Sequence, residues 1–99
     1  MKWFKALNKV QIPQVGDIKT IELGGKQLCI INNDDEIIAT QSFCPHAGGH
    51  FSGGWCKNGH LICPIHRYAY DLKTGRGAEG QGDYINIYAT EVREDGLYI

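Results

Sequence analysis

Two short runs that each pair a cysteine with a histidine lie between residues 44 and 66. Cys44 and His46 belong to the run Cys-Pro-His, and after sixteen intervening residues Cys63 and His66 belong to Cys-Pro-Ile-His. Two thiols and two imidazoles can hold tetrahedral zinc, or a two-iron cluster in which two His replace two Cys on one iron. Structural zinc usually takes its Cys pair from one loop and its His pair from another, whereas each run here supplies one of each. The spacing favours the two-iron cluster, and zinc remains the alternative.

The residues around these runs predict stiff loops that come close to a bound group. Pro45 and Pro64 each follow a cysteine, where proline fixes φ and removes an N–H group. The glycine pairs at 48–49 and 53–54 lack a Cβ, so the backbone can approach a cluster there. Both features indicate two loops that together enclose a metal centre.

On these residues the chain resembles the Rieske [2Fe–2S] domain family, and among its members the small Rieske-type ferredoxins most closely. The residues that carry the resemblance are the runs at 44–46, 48–49, 63–66, 70–72 and 74–75. The resemblance covers nearly the whole chain. It implies one domain over residues 1–99, with cluster-binding loops at about 42–54 and 63–71. It also implies that one [2Fe–2S] cluster is bound by Cys44, His46, Cys63 and His66.

The ligand set predicts the range of the reduction potential. Two thiolates and two neutral imidazoles leave the oxidised site neutral, which eases addition of an electron and gives potentials of about −150 to +300 mV. In the family, high-potential members join the loops by a disulfide whose cysteines match Gly49 and Ile65, so this chain cannot form it. Those members also have a hydroxyl donor at the position of Tyr68, where tyrosine is too long to replace serine simply. Tyr70 does match an aromatic donor to a cysteine sulfur, and we expect a potential in the low half of the range.

Arg67 departs from the family pattern, which usually has glycine after the second ligand histidine. A side chain there disfavours a positive φ. The guanidinium either lies near the cluster rim, where it would raise the potential slightly, or points into solvent.

Length and charge exclude several classes of protein. A chain of 99 residues with a net charge of −1 predicts one domain and gives no indication of a nucleic-acid or membrane-surface partner. The N-terminal residues contain no apolar run long enough for a signal peptide or a membrane helix, so we expect a cytoplasmic protein. Of the two cysteines outside the motif, Cys29 is predicted to be a small buried hydrophobe. Cys56 is predicted to be a packed or partly exposed thiol without a redox role.

Apolar residues recur with a period typical of short strands, and no apolar helical period extends over ten residues. Turn signals separate the predicted strands, and residues 76–83 are Gly-rich and irregular. This pattern predicts an all-β antiparallel sandwich or barrel, which agrees with the Rieske fold, a β base with an inserted cluster-binding subdomain. The predicted strands are 3–7, 18–23, 26–31, 36–41, 55–57, 60–63, 68–72, 84–89, 91–93 and 97–99.

The function that these features favour is electron transfer by a ferredoxin-type carrier. No nucleotide-binding loop and no second metal-ligand set is evident. His50 lacks a partner at ligand spacing and His60 follows the Asn58–Gly59 turn, so neither is expected to contact a metal. The resemblance implies single-electron transfer from a reductase to a terminal oxygenase, or to another redox protein, through transient docking at the cluster loops. The alternatives are a small subunit of a larger redox enzyme, such as nitrite reductase, and a zinc-stabilised binding module. A stand-alone enzyme is the less favoured interpretation.

Overall fold

The computed structural model describes residues 3–45, 49–65, 67–78 and 82–99, and within them it is almost entirely β-structure. The strands are β1 Lys5–Asn8, β2 Ile18–Leu23, β3 Lys26–Asn33, β4 Glu36–Gln41, β5 Trp55–Lys57, β6 His60–Ile62, β7 Ala69–Asp71, β8 Ile87–Tyr88, β9 Glu91–Arg93 and β10 Gly96–Tyr98. Two 3₁₀ turns lie at Lys9–Gln11 and Phe51–Gly53. Among the described residues no helix is long and apolar enough to span a bilayer. The expected all-β antiparallel class is confirmed.

The strands form three antiparallel sheets, and one of them is an insertion into another. The sheets have the orders β1-β10-β9, β2-β3-β4-β8 and β5-β6-β7. Strand β4 pairs with β8 through Thr40 opposite Ile87. At the neck of the insertion, the Gln41 backbone N–H donates to the Asn86 carbonyl (3.2 Å), and the Asn86 N–H donates to Gln41 Oε1 (2.9 Å). The sheet β5-β6-β7 therefore lies within a segment that leaves and re-enters the central sheet at one point, as the predicted inserted subdomain requires.

The central strands β3 and β4 are buried on both faces. On one face Ile30 and Ala39 pack with Leu7 and Leu97 of the first sheet. Strands buried on both faces are apolar without alternation, which explains the continuous run Leu28–Ile31. The opposite face packs against the insertion, in a cluster formed by Cys29, Ile31, Ile38, Cys44, Phe51, Leu61, Cys63, Tyr70, Leu72 and Ile85. This second cluster thus joins the central sheet to the two cysteines of the motif.

Six predicted strands differ from the observed ones. Those predicted at 3–7, 26–31 and 97–99 begin or end one or two residues away from the observed bounds, and the other three lie in or beside the insertion. The strands predicted at 60–63 and 68–72 are shorter, because Cys63 and Tyr68 close a loop instead of extending the ladder: the Cys63 N–H donates to the Tyr68 carbonyl at 2.8 Å. The strand predicted at 84–89 is reduced to Ile87–Tyr88. The described part of the Gly-rich segment is more regular than expected, since Gly77 forms a bridge with Tyr70.

Candidate metal centre

The first loop holds Cys44 by closing on itself directly after β4. The Cys44 N–H donates to the Gly49 carbonyl at 2.7 Å, and the Phe51 N–H donates to the Ser42 carbonyl at 2.9 Å. Phe51 is fully buried and anchors the far end of this loop in the core. The backbone bonds fix the direction of the Cys44 side chain, which is 1% exposed.

The second loop holds Cys63 in the same manner at the end of β6. Its backbone bond to Tyr68 closes the loop, and the Cys63 side chain has no exposed surface. Arg67 lies in this loop with φ of 55° and an exposed side chain. Arg67 therefore adopts the left-handed backbone conformation that glycine favours, although its Cβ makes that conformation unfavourable.

The two loops bring the Cys44 and Cys63 thiols together, and neither is in a disulfide. Burial raises the pKa of the Cys63 thiol; a backbone hydrogen bond from Ile65 opposes this, and the neighbouring Cys44 thiol adds to the rise. Two adjacent buried thiolates are unfavourable without a cation, because burial disfavours charge and like charges repel. A metal centre supplies that cation, since metal binding deprotonates coordinating thiols. The donor pair therefore fits the thiolate-bound half of a cluster.

The backbone at Gly49 lies close to the second loop and the Cys63 thiol, where a side chain would collide. A Cβ at Gly49 would lie 3.4 Å from Cys63 Sγ and 2.6 Å from Ile65 Cδ1. Gly54 was predicted to permit a close approach as well, and a Cβ there would overlap the Ile62 carbonyl. Gly53 does not share this role, because its Cβ would meet only Pro64 Cγ at 3.5 Å, an ordinary contact.

The two predicted imidazole ligands, His46 and His66, lie outside the described residues, as does Gly48. Within the described ranges, no group of three or more His, Cys, Asp or Glu side chains is arranged to hold a metal ion. The described part of the site is thus the cysteine pair, and the two histidine ligands stay predictions. The other two histidines have contacts of their own: the His50 ring lies 4.4 Å from the Phe43 ring, and His60 Nδ1 lies 3.0 Å from the Asn58 carbonyl.

Tyr70 brings a buried hydroxyl to the cysteine pair, as predicted from its position after the motif. Its oxygen lies 3.4 Å from Cys44 Sγ and donates a hydrogen bond to Asp83 Oδ2 at 3.2 Å. The Phe51 ring packs edge-on against the Tyr70 ring, with centroids 5.8 Å apart. Burial is the largest cause that raises the pKa of the Tyr70 hydroxyl, followed by the neighbouring Cys44 and Asp83. The Tyr70 hydroxyl is therefore a neutral donor at physiological pH.

The sequence interpretation did not identify Asp83 as a neighbour of the site. It lies in the Gly-rich segment, which has neither apolar alternation nor a ligand motif. The Gly77 N–H donates to the Asp83 carbonyl at 2.9 Å, and Gly77 itself bridges to Tyr70. This return of the chain along β7 places Asp83 beside Tyr70, and only the fold reveals it.

Cys29 and Cys56 have the structural character predicted for them. Cys29 is fully buried, and burial raises the pKa of its thiol. Cys56 is half-buried, and burial, with a smaller contribution from Cys29, raises the pKa of its thiol to about 11. Both are therefore protonated at neutral pH, which disfavours reactivity because the thiolate is the nucleophile.

Comparison with known proteins identifies the family to which this arrangement belongs. The family model of the Rieske [2Fe–2S] domain matches residues 2–86. The ferredoxin component of the naphthalene 1,2-dioxygenase system of Pseudomonas aeruginosa is 33% identical over 75 residues, which are 76% of this chain and 71% of that protein.

Two solved structures share the fold over nearly the whole chain. The Sphingomonas yanoikuyae B1 ferredoxin has a TM-score of 0.86 at 19% identity, with 99% of this chain and 97% of that chain covered. A chain from the complex of reduced oxygenase and oxidised ferredoxin in carbazole 1,9a-dioxygenase has a TM-score of 0.82 at 24% identity. The match covers 94% of this chain and 97% of that chain. The chain belongs to the Rieske [2Fe–2S] domain family, as a ferredoxin-type electron carrier whose cofactor is one [2Fe–2S] cluster.

Proposed function

We propose that Cys44, His46, Cys63 and His66 bind the cluster, and that the protein passes single electrons between a reductase and a terminal oxygenase. The observation that carries this proposal is the convergence of the Cys44 and Cys63 thiols, each buried at the closed end of its own loop. When bound, the [2Fe–2S] cluster accepts and releases one electron at a time. Transfer to an oxygenase is supported by the relative that is the ferredoxin component of the naphthalene 1,2-dioxygenase system.

The docking face of the proposed carrier is the surface of the two loops, at about 42–54 and 63–71. Phe43 precedes Cys44 and is 46% exposed, and Ile65 lies two residues after Cys63 and is 39% exposed. Exposed apolar side chains beside a redox centre suit a small contact that forms and separates quickly. The rest of the 1–99 domain then serves as the base that holds the loops.

We propose that the protein is soluble and cytoplasmic. With a net charge of −1, the chain lacks the excess of basic residues that binds nucleic acids or anionic membranes. Reduced thiols are normal in the cytoplasm, and the free state of Cys29 and Cys56 agrees with that compartment.

The ligand assignment is tested by iron and acid-labile sulfide analysis of anaerobically purified protein, with an EPR spectrum after dithionite reduction. We expect two irons and two sulfides per chain and a Rieske-type signal. Cys44→Ser, Cys63→Ser, His46→Ala and His66→Ala should each abolish that signal. Cys56→Ser is the matched control and should keep it. One zinc without sulfide, or full cluster content in any of the four ligand variants, would contradict the assignment.

The docking face is tested by substitution of exposed apolar residues of similar accessibility. Ile65→Asp changes the loop surface, and Val92→Asp changes a residue of β9 that is 47% exposed. With the reductase and oxygenase of the naphthalene dioxygenase system as probes, we expect Ile65→Asp to slow the second-order transfer rate about tenfold, since buried charge in an interface costs over 1 kcal/mol. Val92→Asp should leave the rate unchanged. Equal rates for both variants, or purification as a permanent subunit of a larger redox enzyme, would overturn the proposed role.

A further inference from the structure

The Tyr70 hydroxyl has one proton and two neighbours that can accept it. Cys44 Sγ lies 3.4 Å from the Tyr70 oxygen, and Asp83 Oδ2 lies 3.2 Å from it. The tyrosine ring is fully buried and held by Phe51, so the hydroxyl cannot turn toward water. A hydrogen bond to one acceptor is therefore made at the expense of the other.

The surroundings of Asp83 favour donation to its carboxylate. Its second oxygen, Oδ1, is buried and has no hydrogen-bond partner among the residues that the structure describes. A buried carboxylate with one oxygen unsatisfied depends strongly on the donor at the other oxygen. A hydrogen bond from a hydroxyl to a carboxylate is charge-assisted, whereas sulfur is a weak acceptor.

We propose that Asp83 is a positioning residue that draws the Tyr70 hydrogen bond away from Cys44 and thereby lowers the reduction potential of the protein. This proposal rests on the cluster site proposed above. A hydrogen bond to a ligand sulfur stabilises the more negative, reduced state and so raises the potential. Tyr70 is present at the donor position, but Asp83 holds its proton. The protein thus contains the donor without its full effect on the potential.

The experiment is a double-mutant cycle measured by protein-film voltammetry on cluster-loaded protein. Asp83→Asn can donate an amide N–H to the Tyr70 oxygen, which frees the Tyr70 proton for Cys44. We expect the midpoint potential to shift upward, and the shift to be at least about twofold larger when Tyr70 is present than in the Tyr70→Phe background. Asp35→Asn is the control for charge. It removes the same charge from the exposed turn between β3 and β4, outside the two cluster loops, and should leave the potential unchanged.

Each outcome decides for or against the role of Asp83. Equal upward shifts in the two backgrounds would mean that loss of charge alone raises the potential, and would overturn the proposal, as would no shift. Should Asp83→Asn fail to fold, Tyr70→Phe alone remains decisive: we expect its potential to stay near that of the wild type, and a clear fall would overturn the proposal. Iron and sulfide content and the EPR signal of the wild type separate this result from failure of the cluster assignment itself.

Discussion

Gly49 and Ile65 face each other across the two cluster loops. A Cβ at Gly49 would lie 2.6 Å from Ile65 Cδ1 and 3.1 Å from Ile65 Cγ1. The family resemblance matches these two positions to the loop-linking disulfide of high-potential members, and the structure shows that they are indeed adjacent. In this chain the loops meet through a side-chain-to-backbone contact in place of a covalent bond.

The first prediction is that Gly49→Cys combined with Ile65→Cys forms a disulfide. Since the Cγ1–Cβ bond of Ile65 is about 1.5 Å long, the two Cβ positions lie within about 4.6 Å, near the range of disulfides. A bridge that closes a loop of this length should stabilise the fold by about 3 kcal/mol. Thiol titration under denaturing conditions and the thermal midpoint with and without reductant measure the effect. Gly49→Cys alone is the control, and equal midpoints with and without reductant would contradict the prediction.

Arg67 provides a second prediction, because it adopts a φ of 55° with a side chain. The left-handed conformation costs a residue with a Cβ about 1–2 kcal/mol, and the greater chain entropy of glycine offsets roughly 0.5–1 kcal/mol of that. Arg67→Gly should therefore raise the free energy of unfolding by about 0.5–1 kcal/mol and the thermal midpoint by about 2–8 °C. Arg67→Ala keeps the strained conformation without the guanidinium and should show no gain. A similar gain for both variants would assign the effect to the arginine side chain.

The strands that sequence reasoning placed correctly have local signals at both ends. β2 and β4 match the predicted residues 18–23 and 36–41, and Gly24–Gly25 and Asn58–Gly59 form turns with positive φ as such pairs require. The cysteine pair was likewise evident from its motif. These features depend on residues that are close together in the chain.

The part that sequence reasoning missed depends on contacts between distant segments. Asp83 reaches Tyr70, thirteen residues earlier, only because the chain turns at Gly75 and returns along β7. A glycine-rich sequence indicates that the backbone can turn, but it does not specify the direction in which the chain continues. The two-sided burial of β3 is similar, since the first sheet that covers Ile30 is built from the two ends of the chain.

Asp71 provides a third prediction, which concerns pH. Its Oδ1 accepts the Lys73 N–H at 2.7 Å and the Thr74 N–H at 3.2 Å, and the Lys73 bond is the largest cause that lowers the pKa of this carboxyl. A lowered folded-state pKa contributes stability that is present above the unfolded pKa of about 3.9 and is lost as pH falls through the folded value. Asp71→Asn keeps one acceptor without the charge, so its thermal midpoint should lie below that of the wild type at pH 6. This difference should narrow below about pH 4. A difference that stays constant with pH would contradict this account.

The last prediction concerns the turn that brings Asp83 to the site. Gly75 has a φ of 80°, and a Cβ there would overlap the Ile85 carbonyl oxygen. The Ile85 residue is held in place, because its N–H donates a hydrogen bond to the Gly75 carbonyl at 2.7 Å. Gly25 has a nearly equal φ of 82° but no atom within 4 Å of its Cβ position. Gly25→Ala should cost only the conformational term, about 1 kcal/mol, whereas Gly75→Ala must also displace backbone and should cost about 3 kcal/mol or more. Thermal midpoints of the two variants measure the difference. Equal losses would show that the contact between Gly75 and Ile85 yields without cost, and that this turn is less firmly held than its hydrogen bond indicates.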